Sequence, residues 1–419
     1  METLGPYELV AHRVAVPLDH GAGRAAADDA RITIFAREVR RAGRTDLPWL
    51  CFLQGGPGFE SPRPVDDSGW IGFATEYFRV LLVDQRGTGN SAPVDASRTC
   101  DAATLALLRL DSIVADCEVL RQRVAGGEPW SVLGQSYGGF CAVHYLSSRP
   151  DALERVYLTG GLPPIGASIE DVYRATFALM AERSREYHTR YPGDAAKLDA
   201  ICDRLEADDV RLPNGDRLSV RRLQQVGMWL GQKRGIERLH WLVESAFAER
   251  VGGAPFTRRF LRGVENALSF DTHPLYAVLH EAIYSEGPAT NWAADRVRAE
   301  LPEFERRRGE PLLFTAESIH PWMFEEYGAL RPMRDVAHEL ARREGWGALH
   351  DRAALAANTV PVAAAVYDRD LYVDLGLSLA AASAIGGCRV WRSATHEHDA
   401  LREDGRTVLG ALFREIGTA

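Results

Sequence analysis

Trp130-Ser-Val-Leu-Gly-Gln-Ser-Tyr-Gly-Gly-Phe140 is the stretch on which the reading of this chain turns. Residues 130–133 read as a buried strand. Gly134-Gln135-Ser136-Tyr137-Gly138 follows as a sharp turn, and residues 140–148 read as a helix stopped by Arg149-Pro150. The turn has the form G-x-S-x-G, which places a serine at a strained strand-to-helix corner. Side chains at the flanking glycines would collide with adjacent backbone. The corner lifts the Ser136 hydroxyl above the sheet edge and aims the N-terminus of the next helix at a reacting oxygen. A glycine-serine turn can match this form by chance. The apolar strand before it and the helix after it supply the context that the motif requires.

Working outward, the chain upstream alternates strand and helix. Residues 7–20 and 30–40 read as two strands, joined by a polar turn over 21–29. Residues 48–53 are continuously apolar, as befits a strand buried on both faces. That strand ends in Gln54-Gly55-Gly56-Pro57-Gly58. Where a serine sits on such a corner, this loop supplies one oxyanion donor and the residue after the serine supplies the other. Here the donors are Gly55 or Gly56, and Tyr137. A further buried strand, 78–84, runs into Asp84-Gln-Arg-Gly-Thr-Gly-Asn-Ser91. Asp84 and Arg86 are expected to pair and brace the loops around the site. An amphipathic helix over 105–125 and a strand over 155–160 complete the first part. The alternation predicts a mostly parallel sheet with helices on both faces.

From residue 169 to about 347 the pattern becomes helical and polar, with helices predicted over 172–191, 195–206, 220–231 and 236–250. We expect a helical cap over 166–347 inserted between two parts of the core, 1–165 and 348–419. The sheet pattern resumes at 359–367 and 389–392, and a last helix spans 402–416. An activated serine needs a base, and the base needs an acid to orient it. In G-x-S-x-G proteins both follow the serine on loops after late strands. Two aspartates compete after the first late strand, Asp368 and Asp370. Two histidines compete after the second, His396 and His398. Spacing alone does not choose. His273, His280, His320 and His350 follow no late strand and are expected to be surface or cap residues.

The chain has 419 residues, 46% hydrophobic, with a formal net charge of −9. That balance argues against a nucleic-acid or anionic-membrane surface. Cys51, Cys100, Cys117, Cys141, Cys202 and Cys388 are scattered without metal-ligand spacing. Cys51 and Cys141 fall in apolar segments and are expected in the core. Cys100 and Cys117 can pair only in an oxidising compartment. The N-terminus lacks the features of a signal peptide, and no run of about 18 apolar residues is present. A cytoplasmic protein, without metal or organic cofactor, is the expectation.

Gly55-Gly56-Pro57-Gly58, Asp84-Gln85-Arg86-Gly87-Thr88-Gly89-Asn90-Ser91 and Gly134-Gln135-Ser136-Tyr137-Gly138-Gly139 together resemble the proline iminopeptidase family of α/β hydrolases, its longer bacterial members especially. Shorter members have histidine where this chain has Gln54. The resemblance implies the α/β-hydrolase fold with a helical cap. It favours Asp370, before Leu371-Tyr372, as the acid. It favours His398, in Glu397-His398-Asp399, as the base.

It also implies a serine exopeptidase that releases N-terminal proline through an acyl-enzyme. The partner is then a small peptide, or an amino-acid amide or ester, with a free N-terminus. The substrate ammonium requires a carboxylate, and the family uses cap glutamates. Glu281 is the first candidate, followed by Glu244 and Glu317. Trp229, Trp241, Tyr284 and Trp322 are candidates to wall a pyrrolidine pocket. Two rivals share the sequence features. One is an esterase, lactonase or amidase without aminopeptidase activity. The other is a non-catalytic binding protein of the same fold.

Overall fold

The computed structural model describes residues 1–21, 30–97, 100–247 and 256–418. The turn expected over 21–29 and the end of the helix expected over 236–250 lie largely outside the described residues. Nine strands form one sheet in the order β1-β2-β3-β5-β4-β6-β7-β8-β9. They are β1 (Glu2–Leu4), β2 (Tyr7–Pro17), β3 (Arg31–Arg41), β4 (Trp49–Leu53), β5 (Arg79–Val83), β6 (Trp130–Gln135), β7 (Leu153–Thr159), β8 (Val362–Tyr367) and β9 (Cys388–Ser393). β1, β2, β3 and β5 pair antiparallel in that succession; from β5 across to β9 all pairs are parallel.

The parallel centre is the part buried on both faces. Every residue of β4 and of β8 is buried, which is why these strands read as continuous apolar runs rather than alternating ones. On one face pack the helices Leu110–Val124, Tyr137–Ser148 and Leu375–Ala384. On the other pack Gly69–Ala74 and Gly405–Glu415. Between β7 and β8 the chain is helical, beginning with Ile169–Arg190 and Asp194–Ala207. Ser168 starts the first of these with a capping box: its hydroxyl accepts from Asp171 N–H, and the Asp171 carboxylate accepts from Ser168 N–H. This insert has its own apolar cluster, in which Phe177, Leu239 and Phe314 pack with Leu371 and Tyr372 of the loop after β8. Residues 220–231, read as one helix, divide into a short α-helix, Val220–Gln224, and a 3-10 segment, Gln225–Gly231.

One expected contact is replaced by two others. Asp84 does not pair with Arg86. Its buried carboxylate takes Arg63 Nη1 at 2.8 Å and the backbone N–H of Ser61 and Asn90 at 3.2 and 2.9 Å. Arg86 turns instead to the helix Leu110–Val124, where Asp116 receives it at 2.6 and 2.7 Å. Its remaining donors reach the carbonyls of Pro17, Leu18 and Leu107 at 3.2, 2.8 and 2.8 Å. Both charges of that pair are buried, so each needs every one of these bonds. The physical reason for the exchange is direction. The partners of Asp84 lie in the loop 61–63, and those of Arg86 lie beneath β2 and beside a helix. The six cysteines are free thiols, Cys100 and Cys117 included. No helix among the described residues is long and apolar enough to cross a membrane.

Candidate active site

The serine corner is built by steric necessity. Ser136 has φ 54° and ψ −126°, a conformation costly for any residue with a side chain. A Cβ at Gly138 would lie 1.9 Å from the Leu53 carbonyl oxygen, inside contact distance with the neighbouring strand. Ser136 N–H is tied to Thr159 O at 3.0 Å, and Gly139 N–H to Ser136 O at 2.7 Å. These bonds hold the corner between β6, β7 and the helix Tyr137–Ser148. Tyr137 is the first residue of that helix, where backbone N–H groups have no intrahelical acceptor. The loop after β4 comes in from the other side. A Cβ at Gly55 would stand 2.8 Å from Ser136 Cβ and 3.4 Å from its Oγ. Only glycine lets that backbone approach so closely.

The two competing aspartates and the two histidines separate cleanly. His398 Nδ1 lies 2.9 and 2.8 Å from Asp370 Oδ1 and Oδ2. Asp370 is 2% exposed, and its Oδ1 also accepts the Tyr372 and Val373 N–H groups, each at 3.0 Å. Asp368 faces elsewhere and pairs with Arg392 on β9. His396 sits against Trp391, with Nδ1 2.8 Å from Ser393 Oγ and Nε2 3.3 Å from Asp404. Ser136 and His398 both line one cavity of about 690 Å³, together with Gly55, Gly56 and Gln54. His396 and Asp368 are not in its wall.

Residues of the helical insert between β7 and β8 line that cavity too, and the three candidate glutamates part company. Glu317 lines it, with Oε1 accepting from the Tyr276 hydroxyl at 2.8 Å. Burial pushes the Glu317 carboxyl up to about 7, against the pull of His398 and of the Tyr276 bond. Glu281, first in the sequence ranking, is outside the cavity wall. It is 6% exposed, with Oε1 bonded to Ala294 N–H at 2.9 Å and Oε2 without a partner. Burial holds its carboxyl near 7 as well. Glu244 is exposed at the end of the helix Gly235–Glu244 and is not in the wall. The family resemblance that suggested a glutamate in this segment does not say which of its faces meets the sheet.

Of the four aromatic candidates, Trp229 is in the wall. Trp241 is 55% exposed, Trp322 lines a different cavity of the cap, and Tyr284 packs edge-on against Phe140 and Tyr173. The aromatic wall instead includes Phe59, Trp70, Phe270, Tyr276 and Tyr372. Tyr372 was within reach of sequence reasoning, since it lies two residues after Asp370. Its ring stands edge-on to His398 at 4.7 Å, and its hydroxyl donates to the Met228 carbonyl of the cap. Gly231 of the cap lies against the same ring, where a Cβ would come within 2.5 Å.

The other histidines are engaged or buried away from Asp370. His273 pairs with Glu60 at 3.0 Å, and His320 lies between Asp295 and Ser318. His280 is buried, which lowers its pKa to about 3. His350 is buried beside Glu286. For His398, burial alone would disfavour the imidazolium. The charge of Asp370 and its hydrogen bond, then Glu317, outweigh burial and raise the pKa above its ordinary value. No group of three or more metal-ligating side chains occurs among the described residues.

A parallel sheet carrying a serine on a strained corner, with an aspartate-paired histidine from its far edge, defines an α/β-hydrolase-fold protein. A family model described as "alpha/beta hydrolase fold" matches residues 48–277. The chain is 45% identical to a proline iminopeptidase of Aeromonas sobria over 411 residues, 96% of this chain and 95% of that one. It is 34% identical to proline iminopeptidase aneH of Aspergillus aculeatus, over 96% of this chain and 92% of the relative. Among solved structures, 2-hydroxy-6-oxo-6-phenylhexa-2,4-dienoate hydrolase from Rhodococcus sp. strain RHA1 aligns with a TM-score of 0.44. Its identity is 14%, over 98% of this chain and 99% of that one. The chain belongs to the proline iminopeptidase family of α/β hydrolases.

Proposed function

We propose that this protein is a serine exopeptidase that releases N-terminal proline from small peptides through an acyl-enzyme. Ser136 is the nucleophile, His398 the general base and Asp370 the acid that fixes the imidazole. The observation that carries the reading is Glu317, a half-buried carboxylate in the wall of the cavity that holds Ser136 and His398. An esterase needs no anion there, whereas a substrate with a free ammonium does.

His398 Nε2 takes the Ser136 proton as Oγ bonds to the substrate carbonyl carbon. The carbonyl electron pair moves onto oxygen, held by N–H groups of Tyr137 and of Gly55 or Gly56. The imidazolium passes its proton to the departing amine nitrogen as the C–N bond breaks. Water, deprotonated by His398, then attacks the ester, and Ser136 leaves with the proton restored. Asp370 keeps Nδ1 protonated throughout. Glu317 holds the substrate ammonium, and the helical segment over the sheet selects the substrate as a cap.

Glu317→Gln tests the reading. Proline-β-naphthylamide turnover is expected to fall by two orders of magnitude or more, since stranding a desolvated charge costs about 2–5 kcal/mol. Hydrolysis of p-nitrophenyl acetate, which has no ammonium, is expected to change little. Equal loss on both substrates would return the site to the esterase class.

The pH profile follows from the same groups. The base must be neutral to act, and its pKa is raised, so kcat/KM falls as pH drops through a value above 6.5, the ordinary value for histidine. Glu317, near 7, must also lose its proton to bind the ammonium. The acid limb is therefore expected to approach a slope of about two. In Glu317→Gln one titration disappears and the negative charge beside His398 is lost. The limb becomes shallower and moves to lower pH. A limb at the same pH in both proteins would break the link between these residues.

A further inference from the structure

The cavity around Ser136 has a cationic wall that the proposed chemistry leaves unused. Arg238, on the helix Gly235–Glu244, and Arg402, on the helix Ala400–Glu403, both line it. Their charges are compensated unequally. Arg402 Nη2 lies 3.2 Å from Asp399 Oδ2, and its Nε lies 3.9 Å from Glu403. Arg238 has no carboxylate within ion-pairing distance among the described residues. Its guanidinium rests 3.9 Å from the centre of the Trp229 ring, which orients it without neutralising it.

Arg238 rests on Trp229, whereas Glu317 is bonded to Tyr276, so the cation and the carboxylate have different aromatic supports in the one cavity. Arg238 is exposed, yet partial desolvation and then the nearby Arg402 lower its pKa. Two guanidiniums close enough to repel, one of them unpaired, form a site that an anion would relieve.

A peptide anchored by its ammonium at Glu317, with its carbonyl at Ser136, continues away from Glu317 by about 3.3–3.6 Å per extended residue. The anion that every short peptide carries at its far end is its terminal carboxylate. We propose that Arg238, assisted by Arg402, binds the C-terminal carboxylate of the substrate, so that Arg238 sets a preference for very short peptides. The assignment rests on the aminopeptidase reading above. A planar guanidinium held on an aromatic face suits a carboxylate better than an ammonium would, because two parallel N–H groups meet its two oxygens.

The test compares prolyl-glycine, prolyl-glycine amide and prolyl-glutamate amide on the wild type, Arg238→Gln and Arg238→Lys. The wild type is expected to favour the free acid over prolyl-glycine amide by about fivefold in kcat/KM, chiefly through KM. In Arg238→Gln that ratio collapses toward one, and in Arg238→Lys part of it returns. Amide turnover in each variant serves as the control for folding. Equal kcat/KM on acid and amide in the wild type overturns the proposal, as does an equal loss on both in Arg238→Gln. A preference for prolyl-glutamate amide without one for the free acid also overturns it, and assigns the wall to acidic side chains. A wild type that cleaves none of the three overturns the aminopeptidase reading itself, and this assignment with it.

Discussion

Ser136→Ala is expected to lower kcat for proline-β-naphthylamide by about six orders of magnitude, the scale set by removing the nucleophile from a serine-histidine-aspartate unit. The residual rate comes from oxyanion donors and binding, which the substitution leaves in place. The fold should tolerate it. The corner is held by the Ser136 N–H bond to Thr159 and by Gly139 N–H on the Ser136 carbonyl, neither of which uses the side chain. A fluorophosphonate should label the wild type and not the variant, with the melting temperature little moved. Activity retained at even one part in about a hundred would place the nucleophile elsewhere, since a group acting through its own covalent bond has no partial substitute.

Asp370→Asn is expected to lower kcat by about four orders of magnitude without unfolding the protein. The amide oxygen can still accept the Tyr372 and Val373 N–H groups that Asp370 Oδ1 holds. The amide nitrogen, however, presents a donor to His398 Nδ1. That leaves the proton on Nε2, where it blocks acceptance of the serine proton. Asp368→Asn is the comparison. Its carboxylate pairs with Arg392 outside the cavity wall, so its effect should stay within that of an ordinary surface ion pair, at most about 1 kcal/mol of stability. If Asp368→Asn lost as much activity as Asp370→Asn, the acid would have been misassigned.

The serine corner was legible because its geometry is local. Glycine at 138 is demanded by a carbonyl one strand away, and the apolar run before it can only be a central strand. The strand-helix alternation and the late pair of strands were legible for the same reason. The acid and base were narrowed to two residues each, because a spacing does not say which way a loop side chain points. Asp368 and Asp370 are two residues apart, yet one meets β9 and the other His398. Family resemblance supplied the choice that spacing could not. The Asp84–Arg86 pair misled because proximity in sequence was read as proximity of charge; each found a better partner 21 or 30 residues away. The cap was least legible. Glu281 and Glu317 both sit in mixed apolar surroundings, and only the packing of many short helices decides which of them meets the cavity.

Tyr372 occupies an unusual position in this arrangement. Its backbone N–H holds the carboxylate, its ring abuts the imidazole, and its hydroxyl and face engage Met228 and Gly231 of the helical insert. The helical insert and the Asp370–His398 pair thus share one side chain. Chimeras that exchange the insert for that of a relative, to change which substrates are taken, will keep their turnover only if positions 228, 231 and 372 travel together.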